Sequence, residues 1–240
     1  MSALIFSVKN YGANGMKNRL IIRKSASDLG IHNACAAVVE DITVSDDQSF
    51  VSLLQSNLNH VASHLNELDS NRIYEGFAKQ LGKLGYVNTV SANEKLLRRF
   101  IANGVRPINN IVDAYNAVAI RHGVSIGVHT YHDRDDIYVM RSEKPRVFRP
   151  LFAKKDVTIP VGDIVYTCGD EPLASIGKVD ADAHAFRLTN ESSSLLVVVL
   201  GHEDTSLAFN QSVIAEFVDT LRQTMPGLNH HFLETIHDHA

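Results

Sequence analysis

The 240-residue chain is 45% hydrophobic and 21% charged, with a formal net charge of -4, which is the make-up of a folded domain rather than of a disordered segment. That small negative charge excludes a uniformly basic coat for nucleic acid, so an anionic partner has to meet a local patch. Two cysteines, Cys35 and Cys168, with no CxxC pair argue against a disulfide framework or a cysteine zinc site and fit a reducing, cytoplasmic setting; no apolar run approaches the length needed to cross a bilayer.

The opening fifteen residues, MSALIFSVKNYGANG, differ in texture from the rest of the chain. Residues 1–15 therefore read as an N-terminal extension, with Met16 as an alternative start. NRLIIRKS and CAAVVEDITV are rich in β-branched residues and predict two strands. From Ser49 to Leu68 apolar residues recur at helical spacing (Val51, Leu54, Leu58, Val61, Leu65, Leu68), and a second helix is expected over Ile73–Leu84. A third comes in SANEKLLRRFIANG, where Ser91 as N-cap and Glu94 form a capping box and Gly104 ends the helix.

A fourth helix is predicted within Arg106–Gly123, RPINNIVDAYNAVAIRHG. On a wheel of about 100° per residue, Ile108, Ile111, Val112, Tyr115, Val118 and Ala119 share an apolar face. Asn110, Ala114, Ala117 and Arg121 point the other way, toward water, and Asn109, Asp113 and Asn116 line the shoulder between. Asn and Asp are poor helix formers because their short side chains compete for the backbone. Two readings stay open on the residues alone: the file caps the helix and ties down loop backbone, or it borders a polar pocket.

Beyond Gly123 short apolar runs alternate with turn residues: VSIGVHTY, DIYVMR, PRVFRPLF, DIVYTCGD, SIGKVD, AFRLT and SSLLVVVLG. This predicts a largely antiparallel sheet. A last helix spans Gln211–Thr224, and Pro226-Gly227 stops it. The expected fold is one α+β domain over residues 16–226, helices before sheet before closing helix, with 227–240 as a frayed, polar tail.

Three segments in this order resemble a known family. Pro107-Ile108-Asn109, Val112-Asp113, Asn116 and Gly123 are similar to the motif of the B3/4 domain, the tRNA-binding and editing domain of the bacterial phenylalanyl-tRNA synthetase β subunit, and the chain looks most like free-standing proteins made of that domain alone. Upstream, SANEKLLRRF is similar to the family's Ser-x-Glu-x-Leu-x-x-Arg helix; downstream, LTNESSSLLVVVLG is similar to its Thr-rich turn and apolar strand. The likeness runs from about Ile73 to Gly201. It implies a B3/4-type fold and hydrolysis of the ester that joins a wrong amino acid to tRNA, with mischarged aminoacyl-tRNA as the partner and no cofactor, metal, membrane or DNA. Alternatives are a non-catalytic tRNA- or RNA-binding module and an amino-acid-binding protein.

Carried over residue by residue, the resemblance makes Asn116 a catalytic amide that holds the water or the substrate carbonyl, and Asp113 a pocket group. Synthetase members place Thr where this chain has Tyr115, and His where it has Gly127, eleven residues after Asn116. His129, on the same strand face by parity, is the candidate substitute. Arg141, Lys144, Arg146 and Arg149, with Lys154 and Lys155 beyond them, form a basic run suited to acceptor-stem phosphates. In HTYHDRDD the groups His129, His132, Asp133 and Asp136 have metal-ligand chemistry, but a charged turn is the simpler reading.

Overall fold

A computed structural model describes residues 18–64, 72–132 and 135–238. The proposed extension, Leu65, Leu68, Asp133 and His239 lie outside these residues. Chain order is β1 (Arg19–Arg23), a short α1 (Lys24–Ser27), β2 (Cys35–Glu40), α2 (Val51–Ala62), α3 (Arg72–Lys83), α4 (Ala92–Asn103) and α5 (Asn110–His122). Next are strands β3 (Gly127–Thr130), β4 (Ile137–Arg141), β5 (Arg146–Phe148), β6 (Val157–Ile159), β7 (Ile164–Cys168), β8 (Glu171–Ile176), β9 (Ala181–Asp182) and β10 (Ser194–Val199). Last come α6 (Leu207–Arg222), β11 (Asn229–Phe232) and β12 (Glu234–Asp238). The fold is α+β, as expected.

Two sheets and a helical layer stack on one another. The first sheet runs β12-β1-β4-β7-β8-β9 and the second β11-β2-β10-β3. All pairings are antiparallel except β1 with β12 and with β4. The second sheet is covered on both faces, which is why CAAVV and SLLVVV are continuous apolar runs rather than alternating ones. Leu196 and Val198 of β10, with Ala36 and Val38 of β2, meet Ile22, Val139, Ile164 and Leu173 of the first sheet. The intervening residues Leu195, Val197 and Val199 turn the opposite way and meet Ile111 and Val118 of α5 and Phe217 of α6.

This layering corrects the wheel. Asn110, Ala114 and Ala117 do not face water; all three are buried, because α5 is covered on its outer side as well. There Ala117 and Ile120 pack with Leu54 and Leu58 of α2 and with Leu97 and Phe100 of α4. Small alanines let those helices approach. Asn110 clamps the segment after β2: its carbonyl accepts from Ser45 N at 2.9 Å and its amide donates to Thr43 O at 2.8 Å. Ile108, expected on the apolar face, is 51% exposed because it precedes the helix.

The C-terminal segment is also corrected. Instead of fraying, His230 and His231 pair with Val39 and Val38 along β2, and Thr235–Asp238 pair with Leu20–Arg23 along β1. Both strands lie at sheet edges, where one face meets water and polar residues are tolerated, so composition alone reads them as a tail.

Candidate active-site cavity

Asn109 caps α5, its side-chain oxygen accepting from Val112 N at 2.8 Å, and Gly123 closes the helix in the left-handed region at φ 69. Asp113 reaches back to accept from Ile108 N at 3.1 Å and so fixes the Pro107-Ile108 entry. Burial pushes its carboxyl upward from the usual range. Asn116 is 3% exposed and does not line the cavity beside α5. Asn109 and Asp113 thus do the local work that capping predicts, and of α5 only Tyr115, on the neighbouring face, reaches the hollow.

That hollow has a volume of about 210 Å³ and lies between the two sheets, roofed by α3, the start of α4 and Tyr115 of α5. It is smaller than the roughly 300–1,000 Å³ of sites for drug-sized ligands, and so suits something the size of an amino acid. Phe77, Leu81, Ile126, Val198 and Leu200 make one side apolar, while Asp180 and Asp182 make the other acidic. Asp180 is held by Lys95 at 3.0 Å.

Three buried polar side-chain atoms on this wall have no hydrogen-bond partner: Ser91 Oγ, Asn93 Oδ1 and Ser175 Oγ. Seven such atoms occur among the described residues, so nearly half are gathered at one cavity. A buried polar atom left unpaired costs about 1–3 kcal/mol, a cost a ligand can relieve. Ser91 occupies the N-cap position of α4 but makes no capping bond. The expected capping box is absent because Glu94 turns instead to Arg98, at 2.5 Å. The Ser91 hydroxyl and the N-terminus of α4 consequently face the hollow together, where the helix dipole favours negative charge.

At the far wall stand Tyr166 and Asp182, with His129 buried behind them. His129 Nε2 and the Tyr166 hydroxyl share a hydrogen bond of 2.8 Å, the same hydroxyl bonds the Asp182 carboxyl, and His129 Nε2 lies 4.0 Å from Asp182 Oδ1. The pairing of β7 with β8 shifts register immediately after Tyr166, the kind of bulge that re-aims a side chain. Burial holds His129 neutral, its basicity lowered to about 3. Asp182 is raised to about 7, first by burial and then by the neighbouring Asp180. Its side chain keeps 41% of its area exposed where it lines the half-open hollow, and solvent reaching the carboxyl weakens the effect of burial. One hydroxyl proton links the three groups. With Asp182 ionised, Tyr166 donates to it and accepts from His129; with Asp182 protonated, the chain reverses.

Gly127 also lines the cavity. A Cβ there would collide with the Tyr166 hydroxyl and lie 3.1 Å from His129 Nε2, so His129 does stand beside position 127, as parity suggests.

The basic run is less available than its sequence implies. Arg141 Nε donates to Gly162 O at 2.8 Å, Arg146 to Asp170 O at 3.1 Å, and Arg149 pairs with Asp156 at 2.9 Å. Lys144, Lys154 and Lys155 are exposed. In HTYHDRDD, Asp136 is taken by Arg19 at 2.6 Å.

Sequence reasoning missed Ser91, Asn93, Tyr166, Ser175 and Asp182 as cavity groups. Ser91 was legible only as a cap, and the others sit on strands or helix starts that composition marks as structural. Asp180 and Asp182, two acids separated by Ala181 in a run whose nearest other charges are Lys178 and Arg187, were the only visible signal.

A family model described as the B3/4 domain matches residues 81–216. Among curated proteins, a phenylalanine–tRNA ligase beta subunit from Shouchella clausii is 34% identical over 84 residues, which is 34% of this chain and 10% of that protein. Among solved structures, an N-terminal fragment of the phenylalanyl-tRNA synthetase beta subunit from Pyrococcus horikoshii gives a TM-score of 0.52 at 14% identity, covering 96% of this chain and 55% of the fragment. At that identity the structural likeness speaks to fold alone. The chain spans about half of the solved fragment and a tenth of the curated relative.

Proposed function

The chain belongs to the B3/4 domain family, and from that premise we propose that its cavity hydrolyses the ester between a wrong amino acid and the terminal ribose of tRNA, acting in trans. The observation that carries this reading is the gathering of Ser91 Oγ, Asn93 Oδ1 and Ser175 Oγ, unpartnered, around one amino-acid-sized hollow.

The chemistry needs no strong nucleophile, because an aminoacyl ester is already activated. The apolar side takes the amino-acid side chain, and Asn93 Oδ1 accepts from the α-ammonium. Asp182 is the general base: with a carboxyl near 7 it is matched to work near neutral pH. It removes a proton from a water that attacks the ester carbonyl. The Ser91 and Ser175 hydroxyls, with the N-terminus of α4, stabilise the oxyanion. Collapse breaks the acyl C–O bond, and the proton passes from Asp182 to the ribose oxygen. His129 and Tyr166 position Asp182. Asn116 supports the fold of α5, and phosphate contact falls to Lys144 and its neighbours.

Incubation with a panel of mischarged tRNAs tests the reading. The expected result is release of one class of amino acid faster than in buffer; no release from any member, with tRNA still bound, overturns it. The acidic wall favours one second reading, a binding site for a free amino acid. Calorimetry separates the two, since that reading predicts heat with an amino acid and no salt-dependent binding of RNA.

A further inference from the structure

We infer that Phe152, carried with Lys154 and Lys155 on the loop between β5 and β6, is a stacking platform for an unpaired RNA nucleotide at the cavity rim. This rests on the proposed reading and names a second contact for the same partner.

Phe152 is 90% exposed. Scattered exposed apolar residues are ordinary, so exposure alone carries nothing. The loop, however, is held rigidly. Ala153 N donates to Pro150 O at 3.0 Å, closing a tight turn with Leu151 and Phe152 at its corner. The corner is fastened to the cavity wall: Leu151 N donates to Asp182 O at 2.8 Å, His184 N to Arg149 O at 2.7 Å, and His184 Nδ1 bonds Leu151 O at 3.1 Å. The ring is therefore next in the chain to a residue whose amide is bonded to the backbone of Asp182.

Charge selects the occupant. Residues 141–156 carry six Lys or Arg against Glu143 and Asp156, in a chain whose net charge is -4. Arg149 is neutralised by Asp156, whereas Lys154 and Lys155 are exposed within three residues of the ring. An aromatic face flanked by ammonium groups complements a planar base on a phosphodiester chain. Size points the same way. A hollow of about 210 Å³ takes an amino acid but not the nucleotide esterified to it, so that nucleotide has to rest outside, and the loop bonded to the backbone of the cavity residue Asp182 offers Phe152 as its support.

The test is a fluorescence-anisotropy titration of the full chain with a labelled acceptor-stem minihelix ending in a single-stranded 3′ tail. Phe152→Ala is expected to weaken binding roughly 5- to 150-fold, the worth of one stacked base. Phe152→Trp is expected to bind at least as tightly, with its emission quenched by the base. A blunt minihelix without the tail is expected to bind native protein and Phe152→Ala alike. An unchanged Kd for Phe152→Ala on the tailed RNA overturns the inference, and so does an equal loss on the blunt one. If native protein binds the tailed RNA and Phe152→Ala does not, yet no ester is cleaved, the platform stands and the hydrolase reading falls. If esters are cleaved and Phe152→Ala binds and cleaves like native protein, only the platform falls.

Discussion

The hydroxyl of Tyr166 occupies the space that a side chain at position 127 would need. Glycine at 127 and tyrosine at 166 are therefore one choice rather than two, and His129 stands beside them at 2.8 Å from the hydroxyl. Gly127→Ala is expected to destabilise the fold by about 1–3 kcal/mol, the cost of overpacking a closed site. In a Tyr166→Phe background the same substitution is expected to cost less, because the colliding atom is gone. Urea unfolding of the four proteins of this cycle measures the coupling; an identical cost in both backgrounds refutes the steric account.

If Asp182 is the base of the proposed reaction, stability and activity are expected to depend on pH in opposite senses. Its folded carboxyl, near 7, lies above the ordinary value of 3.8. The folded chain thus holds the extra proton between those values, and this group's contribution declines as pH rises from about 4 to 7. His129, lowered from 6.5 to about 3, acts the other way: its contribution is full above 6.5 and is lost as pH falls toward 3. Asp182→Asn is expected to melt higher than native protein at pH 8 and to show little difference at pH 4, while deacylation disappears. Melting curves at both pH values check the sign. A difference in Tm that ignores pH removes Asp182 as the responsible group.

The proposed reaction sets Ser91 and Asn116 apart. Ser91→Ala removes an unpartnered cavity hydroxyl and is expected to slow deacylation by about 100-fold, the order of one lost oxyanion donor. Asn116→Ala is expected to lower stability by about 1 kcal/mol and to leave kcat/KM within a few-fold of native. Parallel single-turnover assays decide; the reverse pattern would return the chemistry to α5.

Asn110→Ala is expected to destabilise the fold by untying α5 from the segment after β2. It removes the two bonds that the Asn110 side chain makes to Ser45 N and Thr43 O; Thr43 is exposed and Ser45 half-buried, so the loss is that of two ordinary hydrogen bonds, about 1–3 kcal/mol together. Chemical denaturation reads this directly, and a loss below about 1 kcal/mol means that water replaces the amide.

Elements with strong local signals were legible from residues alone. The spacing of Val51, Leu54 and Leu58 marked α2, and Asn109 and Gly123 bracketed α5 where the structure starts and ends it. Strands β2 and β10 were readable as unbroken apolar runs. The C-terminal strands were not, because an edge strand hydrogen-bonds to a partner distant in sequence and leaves no periodic trace of its own. The helix faces failed for the same kind of reason. Periodicity tells which residues of α5 share a side, but not that α2 and α4 would bury Ala117, that Ala114 would join the core with β10 and α6, or that the segment after β2 would cover Asn110.

The sequence by itself determined the order of helices and strands, the caps of α5 and the likeness to B3/4 domains, since each depends on residues close together along the chain. Only the tertiary structure decided the site. Ser91, His129, Tyr166, Ser175 and Asp182 come from separate elements of two sheets and a helix start, and their meeting depends on how those layers stack. Whether a hydroxyl is a cap or a cavity donor, and whether a carboxyl titrates near 4 or near 7, is set by what surrounds it in space.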